Sequence, residues 1–204
     1  MKELTLDPEH LVVQARAGST AALGELLELF RSYLELLARL QIGRRLQGKV
    51  DAADLVQETF LAAHAGFIEF RGSTEAELAA WLRQILASRL AKLVRYYFGT
   101  QGRDVRLERE LAESIDRSSH AFHQSLAAPQ SSPSQHAARR EQAVLLAQAL
   151  KELPETYREV LILRHLEGLT FREIAGRMQR SVDSVEKLWT RALGELRQSL
   201  GGVS

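Results

Sequence analysis

The chain has 204 residues, 45% of them apolar and 26% charged, with a formal net charge of only +1. That length supports one large domain or two small ones, each able to bury a modest core. The absence of cysteine excludes a disulfide framework and a thiolate metal site, and the near-neutral sum excludes a polycation that grips any nucleic acid.

In chain order, Asp7-Pro8 reads as an N-cap followed by proline at the first helical position, with Gly18 as the stop. Met1 to His10 holds no apolar signal-peptide core, and no apolar run approaches membrane-spanning length, so a cytoplasmic location without membrane attachment is expected. Leu23, Leu26, Leu27, Phe30, Leu34, Leu37 and Leu40 recur at three- and four-residue spacing, which predicts one helix from Ala21 to about Leu40. Asp51 caps a helix carrying Leu55, Val56, Thr59 and Phe60, which stops near Gly66. Phe67 to Thr74 reads as a loop, and Thr74 with Glu77 forms a capping box that opens a helix from Glu75 to about Phe98. Leu107, Leu111 and Ile115 suggest a short helix. From about Ser118 to Ala138 the composition turns to serine, proline and small residues, as expected of a linker. Ala137 to Leu153 is a further helix, and Pro154 starts another that ends near Gly168.

The next stretch has a recognisable layout. Thr170-Phe171-Arg172-Glu173 is a full capping box, and Ile174, Ala175 and Met178 line a short helix. Gln179-Arg180 turns, and Ser181 caps a last helix from Val182 to about Ser199. A short helix, a tight turn and a longer helix make a helix-turn-helix. In the last helix Val185, Leu188, Trp189, Ala192 and Leu196 form the inner stripe, while Asp183, Lys187, Thr190 and Arg191 point outward. Lys187 and Arg191 have the reach for guanine edges or phosphates, and Thr190 for a base edge or methyl group.

Charge is also segregated. Asp51, Asp54 and Glu58 cluster in one helix, and Arg83, Arg89, Lys92, Arg95, Arg103, Arg106 and Arg109 follow in the next segment. An acidic surface beside a basic one suggests two different partners. Tyr96, Tyr97 and Phe98, directly after Arg95, are open to either packing or contact with unstacked bases.

These segments carry a family likeness. Asp54-Leu55-Val56-Gln57-Glu58-Thr59-Phe60 resembles the segment of sigma region 2 that binds the clamp coiled coil of the RNA polymerase beta-prime subunit. Trp81-Leu82-Arg83-Gln84-Ile85 resembles the tryptophan-bearing helix of the same region. Leu153-Pro154-Glu155-Thr156-Tyr157-Arg158-Glu159-Val160 and Leu169-Thr170-Phe171-Arg172-Glu173-Ile174-Ala175 resemble the opening and the helix-turn-helix of region 4. In this order, with only a linker between them, they resemble the extracytoplasmic-function (ECF) group of bacterial sigma factors.

The resemblance implies an all-α chain of two small helical domains joined by a flexible linker: region 2 at 1–100, linker at 101–138, region 4 at 139–204. It implies a transcription initiation factor that binds core RNA polymerase, through the beta-prime clamp and the beta subunit, and directs promoter recognition and opening. Core polymerase would meet Asp54, Leu55, Gln57 and Glu58. The minus-ten element would meet Phe70, Arg71, Gly72, Ser73, Thr74, Trp81, Ile85, Ser88, Lys92 and Arg95, with the loop from Phe70 to Thr74, Ile85 and Ser88 forming a pocket for a flipped base. The minus-thirty-five element would meet Arg180, Ser181, Asp183, Ser184, Lys187, Thr190 and Arg191. An anti-sigma factor is a further candidate partner, and no cofactor or metal is implied. The chain departs from the family where Ser88 replaces a common asparagine, Gln179 the usual turn glycine, and Glu186 a common basic residue. The competing expectation is a conventional helix-turn-helix regulator with an N-terminal sensor or dimerisation domain. No nucleophile–base set or phosphate-binding loop accompanies the carboxylates, so an enzyme is not expected.

Overall fold

The computed structural model describes residues 8–46, 49–98, 105–126 and 138–201. Among these residues the regular structure is entirely helical, and the chain divides into two compact units, Met1–Arg117 and Ser118–Ser204. None of the described helices is long and apolar enough to cross a membrane.

The first unit opens with α1 (Pro8–Arg16); the proposed cap at Asp7 lies outside the described residues. Gly18, at φ +96°, ends it in a left-handed turn, its N–H bonding Ala15 O at 3.0 Å and that of Ser19 bonding Gln14 O at 3.1 Å. Ser19 then caps α2 (Thr20–Leu29). The single helix expected from Ala21 to Leu40 is instead two: α2 and α3 (Arg31–Arg45) meet at Phe30, whose N–H closes back onto Leu27 O at 3.1 Å. The leucine stripe runs on across this break, so periodicity does not report it. Leu26, Phe30, Tyr33, Leu34 and Leu37 are at most 1% exposed and form the centre of the core. Each such side chain contributes roughly 1.5–3 kcal/mol by leaving water.

Helix α4 (Ala52–Gly66) packs on α3 and on α5 (Glu75–Phe98), and a single 3-10 turn at Phe67–Glu69 leads into the connecting loop. The flexible linker expected at 101–138 is helical over α6 (Val105–Leu126), which continues past the end of the first unit. The short helix suggested by Leu107, Leu111 and Ile115 is present, and the serine-rich composition that follows obscures how far it runs. Leu111 and Ile115 are fully buried, and Ser114 Oγ donates to the buried Gln41 Oε1 at 3.0 Å. Arg83 bridges the same helix to the core, donating to Asp116 Oδ1 at 2.6 Å and to Tyr33 Oη at 3.2 Å.

The second unit holds α7 (Ala138–Glu152) and α8 (Glu155–Leu161), which runs into one wide turn over Ile162–Leu166. Pro154 starts α8, and Arg158 reaches back to the carbonyls of Leu150, Lys151 and Leu153 at 3.0–3.1 Å. One guanidinium thereby satisfies carbonyls that the end of α7 leaves without helical partners. Two further helices, α9 (Phe171–Arg177) and α10 (Val182–Gly201), complete the unit.

Candidate polymerase and promoter interfaces

In α4 the buried side carries Ala52, Leu55, Val56, Thr59, Phe60 and Ala63, and Asp51 caps the helix by accepting from Ala53 N at 2.8 Å. Asp54, Gln57 and Glu58 lie on the opposite, exposed side. Leu55 does not join them: at 1% exposure it fills the core and presents no side chain to a partner. Its place on the exposed stripe belongs to Leu61, three residues beyond Glu58 and 59% exposed, with Ile68 at 83% just past the helix. Sequence reasoning missed both, although a leucine on the outward spacing of Asp54, Gln57 and Glu58 was a readable signal.

The loop after Glu69 is held from its own helix. Glu77 Oε2 accepts from Ser73 N at 2.9 Å, Thr74 N at 3.1 Å and Thr74 Oγ1 at 2.9 Å, and Thr74 Oγ1 accepts from Glu77 N at 3.2 Å. The expected capping box is therefore present. The Ser73 N–H, then the Thr74 hydroxyl and N–H, lower the Glu77 pKa below the usual carboxylate range. Phe70 is buried, its ring 5.1 Å from Trp81 and 5.7 Å from Phe67. It supports Trp81 from behind and leaves Arg71, Ser73 and Thr74 as the exposed part of the loop.

On α5, Trp81, Ile85, Ser88, Lys92 and Arg95 follow at spacings of four, three, four and three, so they share one helix face that continues from the loop. All five retain solvent access. Arg95 is not idle, since its Nη1 lies 3.3 Å from Glu108 Oε1 of α6. Tyr96, Tyr97 and Phe98 are 79%, 39% and 56% exposed, which disfavours the packing alternative. Lys49 Nζ sits 5.8 Å and 5.5 Å from the ring centres of Tyr97 and Phe98.

In the second unit the Thr170–Glu173 capping box is formed in both directions. The turn after α9 bonds Gln179 N to Gly176 O at 3.4 Å and Arg180 N to Ala175 O at 2.9 Å, with Gln179 at φ +52°. This is the pattern that a glycine ordinarily completes. Val185, Ala192 and Leu196 are buried, and Leu188 and Trp189 are half-buried, as the expected inner stripe requires. Arg180, Ser181, Asp183, Lys187, Thr190 and Arg191 are exposed, and Ser184 is partly so. Ser181 Oγ caps α10 by accepting from Ser184 N at 3.2 Å. Lys187 pairs with Asp183 at 2.8 Å, and Thr190 Oγ1 donates to Glu186 O at 2.9 Å. A partner that takes the Lys187 charge competes with Asp183, and the Thr190 hydroxyl, its proton given to Glu186 O, is left to accept.

Residues 29–97 match the family model described as Sigma-70 region 2, and residues 143–196 match that of Sigma-70, region 4. RNA polymerase sigma-H factor of Pseudomonas aeruginosa is 31% identical over 150 residues, covering 74% of this chain and 73% of that protein. ECF RNA polymerase sigma-E factor of Haemophilus influenzae is 26% identical over 187 residues, covering 92% of each. The chain belongs to the ECF group of RNA polymerase sigma factors.

As a sigma factor it directs promoter recognition in transcription initiation. The region 2 match, covering all of α3 and α4 and all but the last residue of α5, removes the alternative of a conventional regulator with a sensor or dimerisation domain. The region 4 match takes in the helix-turn-helix and most of α7. Outside both matches lie α1 with most of α2, α6 with the start of α7, and the end of α10. Among solved structures, CnrH in complex with the cytosolic domain of CnrY aligns over 97% of this chain and all of that one, at 23% identity and a TM-score of 0.33. That superposition is too loose to transfer any contact to this sigma factor.

Proposed function

We propose that this sigma factor divides its work among three faces. The outward side of α4, with Asp54, Gln57 and Glu58 around Leu61, docks on the clamp of core polymerase. The exposed loop residues and the α5 face from Trp81 to Arg95 take the minus-ten element, with a flipped base between the loop and the Ile85–Ser88 turn. The outward side of α10 reads the minus-thirty-five element as duplex. The single observation that carries this reading is the continuity of loop and α5 face: a preformed, solvent-accessible surface with cations at its far end.

The physics favours such a division. Extracting a base costs a few kcal/mol of stacking and pairing. A loop already fixed by a capping box adds little ordering cost to that. Phosphate contacts from Lys92 and Arg95 then position the strand while the pocket specifies the base. In region 4, Arg180 and Arg191 have no ion-pair partner among the described residues, which leaves them available to DNA.

Run-off transcription with purified core polymerase on a promoter library tests the reading. Charge reversal at Asp54 and Glu58 is expected to abolish initiation by loss of core affinity, while duplex binding by region 4 persists. Altering Ser88 is expected to change the preference at one minus-ten position. Unchanged core affinity removes the docking assignment, and a flat preference profile removes the pocket.

A further inference from the structure

We infer that Arg16, at the end of α1 and outside both family matches, is the positioning residue that sets the minus-ten loop for base capture. Its Nη2 donates to Gly72 O and, at 3.4 Å, to Phe70 O, the two carbonyls that flank Arg71. Its guanidinium carbon also lies 5.9 Å from the centre of the Phe70 ring. These contacts join positions 54 and 56 residues apart, so α1 is the distant clamp of a loop whose other fastenings are local.

The loop is thereby held from both sides. Glu77 takes the N–H groups of Ser73 and Thr74, and Arg16 takes the carbonyls of Phe70 and Gly72. Gly72 permits the close fit: a Cβ built there would stand 2.5 Å from Phe70 Cζ and 2.7 Å from Glu77 Cβ. With two carbonyls and two N–H groups of the loop occupied, the backbone fixes the direction in which the exposed Arg71 side chain leaves it. Nη2 reaches both carbonyls while the guanidinium carbon stays near the Phe70 ring, a combination of polar and ring contact that the compact, strongly hydrated ammonium of lysine reproduces poorly.

The inference rests on the reading of this loop as the base pocket, and the test separates the two. Holoenzymes carrying wild-type chain, Arg16→Gln, Arg16→Lys or Arg71→Ala are assayed for opening on four promoters that differ only at the flipped minus-ten position. Core affinity and minus-thirty-five duplex affinity are measured in parallel. Arg16→Gln and Arg16→Lys are both expected to lower the ratio between best and worst base about tenfold, as Arg71→Ala does, with the two affinities unchanged. Full rescue by Arg16→Lys shows that positive charge alone suffices at this position and overturns positioning by the guanidinium. So does loss of core affinity together with discrimination, which marks a folding defect, and so does an effect of Arg71→Ala that Arg16→Gln lacks. If Arg71→Ala and Arg16→Gln both leave the ratio intact, the pocket reading itself fails.

Discussion

Trp189 Nε1 donates to His165 Nε2 at 3.0 Å, tying the recognition helix α10 to the wide turn that follows α8. The rings are nearly parallel at 22°, and Phe171 meets Trp189 edge-on at 5.5 Å. To accept this bond Nε2 must be unprotonated, so the neutral ring carries its proton on Nδ1. Burial, with Arg164 beside it, lowers the His165 pKa below its ordinary 6.5. The unfolded chain therefore binds the proton more readily than the folded one. Stability from this site is full above pH 6.5 and is lost as pH falls from there through the lowered folded value. Thermal melts of the full chain at stepped pH are expected to show region 4 weakening between those limits. His165→Gln, which retains an acceptor, should lose that step. A step of equal size in His165→Gln would assign it to another group.

The turn of the helix-turn-helix is strained at Gln179. Its φ of +52° places a side-chain-bearing residue in the left-handed region, at a cost of about 1 kcal/mol relative to glycine. Gln179→Gly is therefore expected to stabilise region 4 by roughly that amount, less the greater entropy of glycine in the unfolded chain. Denaturant midpoints of the two full-length chains measure it. A lower midpoint for the glycine chain would mean that the Gln179 side chain makes a compensating contact.

How much of this was legible in the sequence depends on which physics decided each feature. Capping boxes at Thr74–Glu77 and Thr170–Glu173 are local, and both were readable from four residues. Outward and inward stripes were readable wherever a helix is straight, which is why α5 and α10 were placed closely. Leu55 shares its spacing with Val56, Thr59 and Phe60, which puts it inside even though the motif around it resembles a docking segment. The break at Phe30, the contacts of Arg16 and the length of α6 were not legible, although Leu107, Leu111 and Ile115 do announce a short helix there. The break at Phe30 interrupts no stripe, the Arg16 clamp joins residues far apart in sequence, and the contacts of α6 with Gln41, Arg83 and Arg95 depend on tertiary placement.

Arg95 is restrained by Glu108, and that restraint is measurable. The pair is 3.3 Å apart with side chains only 19% and 26% exposed, so solvent screens it less than the open pairs on α10 or α6. A phosphate that takes Arg95 has to compete with this carboxylate. Glu108→Gln is expected to tighten binding of holoenzyme to minus-ten fork DNA several-fold and to steepen its salt dependence by about one unit. Titrations at several salt concentrations give the slope. An unchanged slope would take Arg95 out of the DNA-contacting set.

Leu55 and Leu61 sit six residues apart in α4, one at 1% exposure and the other at 59%, and the two separate folding from docking. Leu55→Ala leaves a cavity in the core of region 2 and is expected to cost about 2–5 kcal/mol of stability. Any loss of polymerase binding should then follow the unfolded fraction. Leu61→Ala removes a side chain that the free chain leaves largely in water, so its melting temperature should stay within a degree or two of the parent. An apolar side chain ringed by Gln57 and Glu58 suits the centre of an interface, where truncation costs about 1–2 kcal/mol in affinity. Core polymerase titrations beside melts of the same preparations distinguish the cases. Full affinity in a folded Leu61→Ala chain would confine docking to the charged residues, and a lowered melting temperature would return Leu61 to the core.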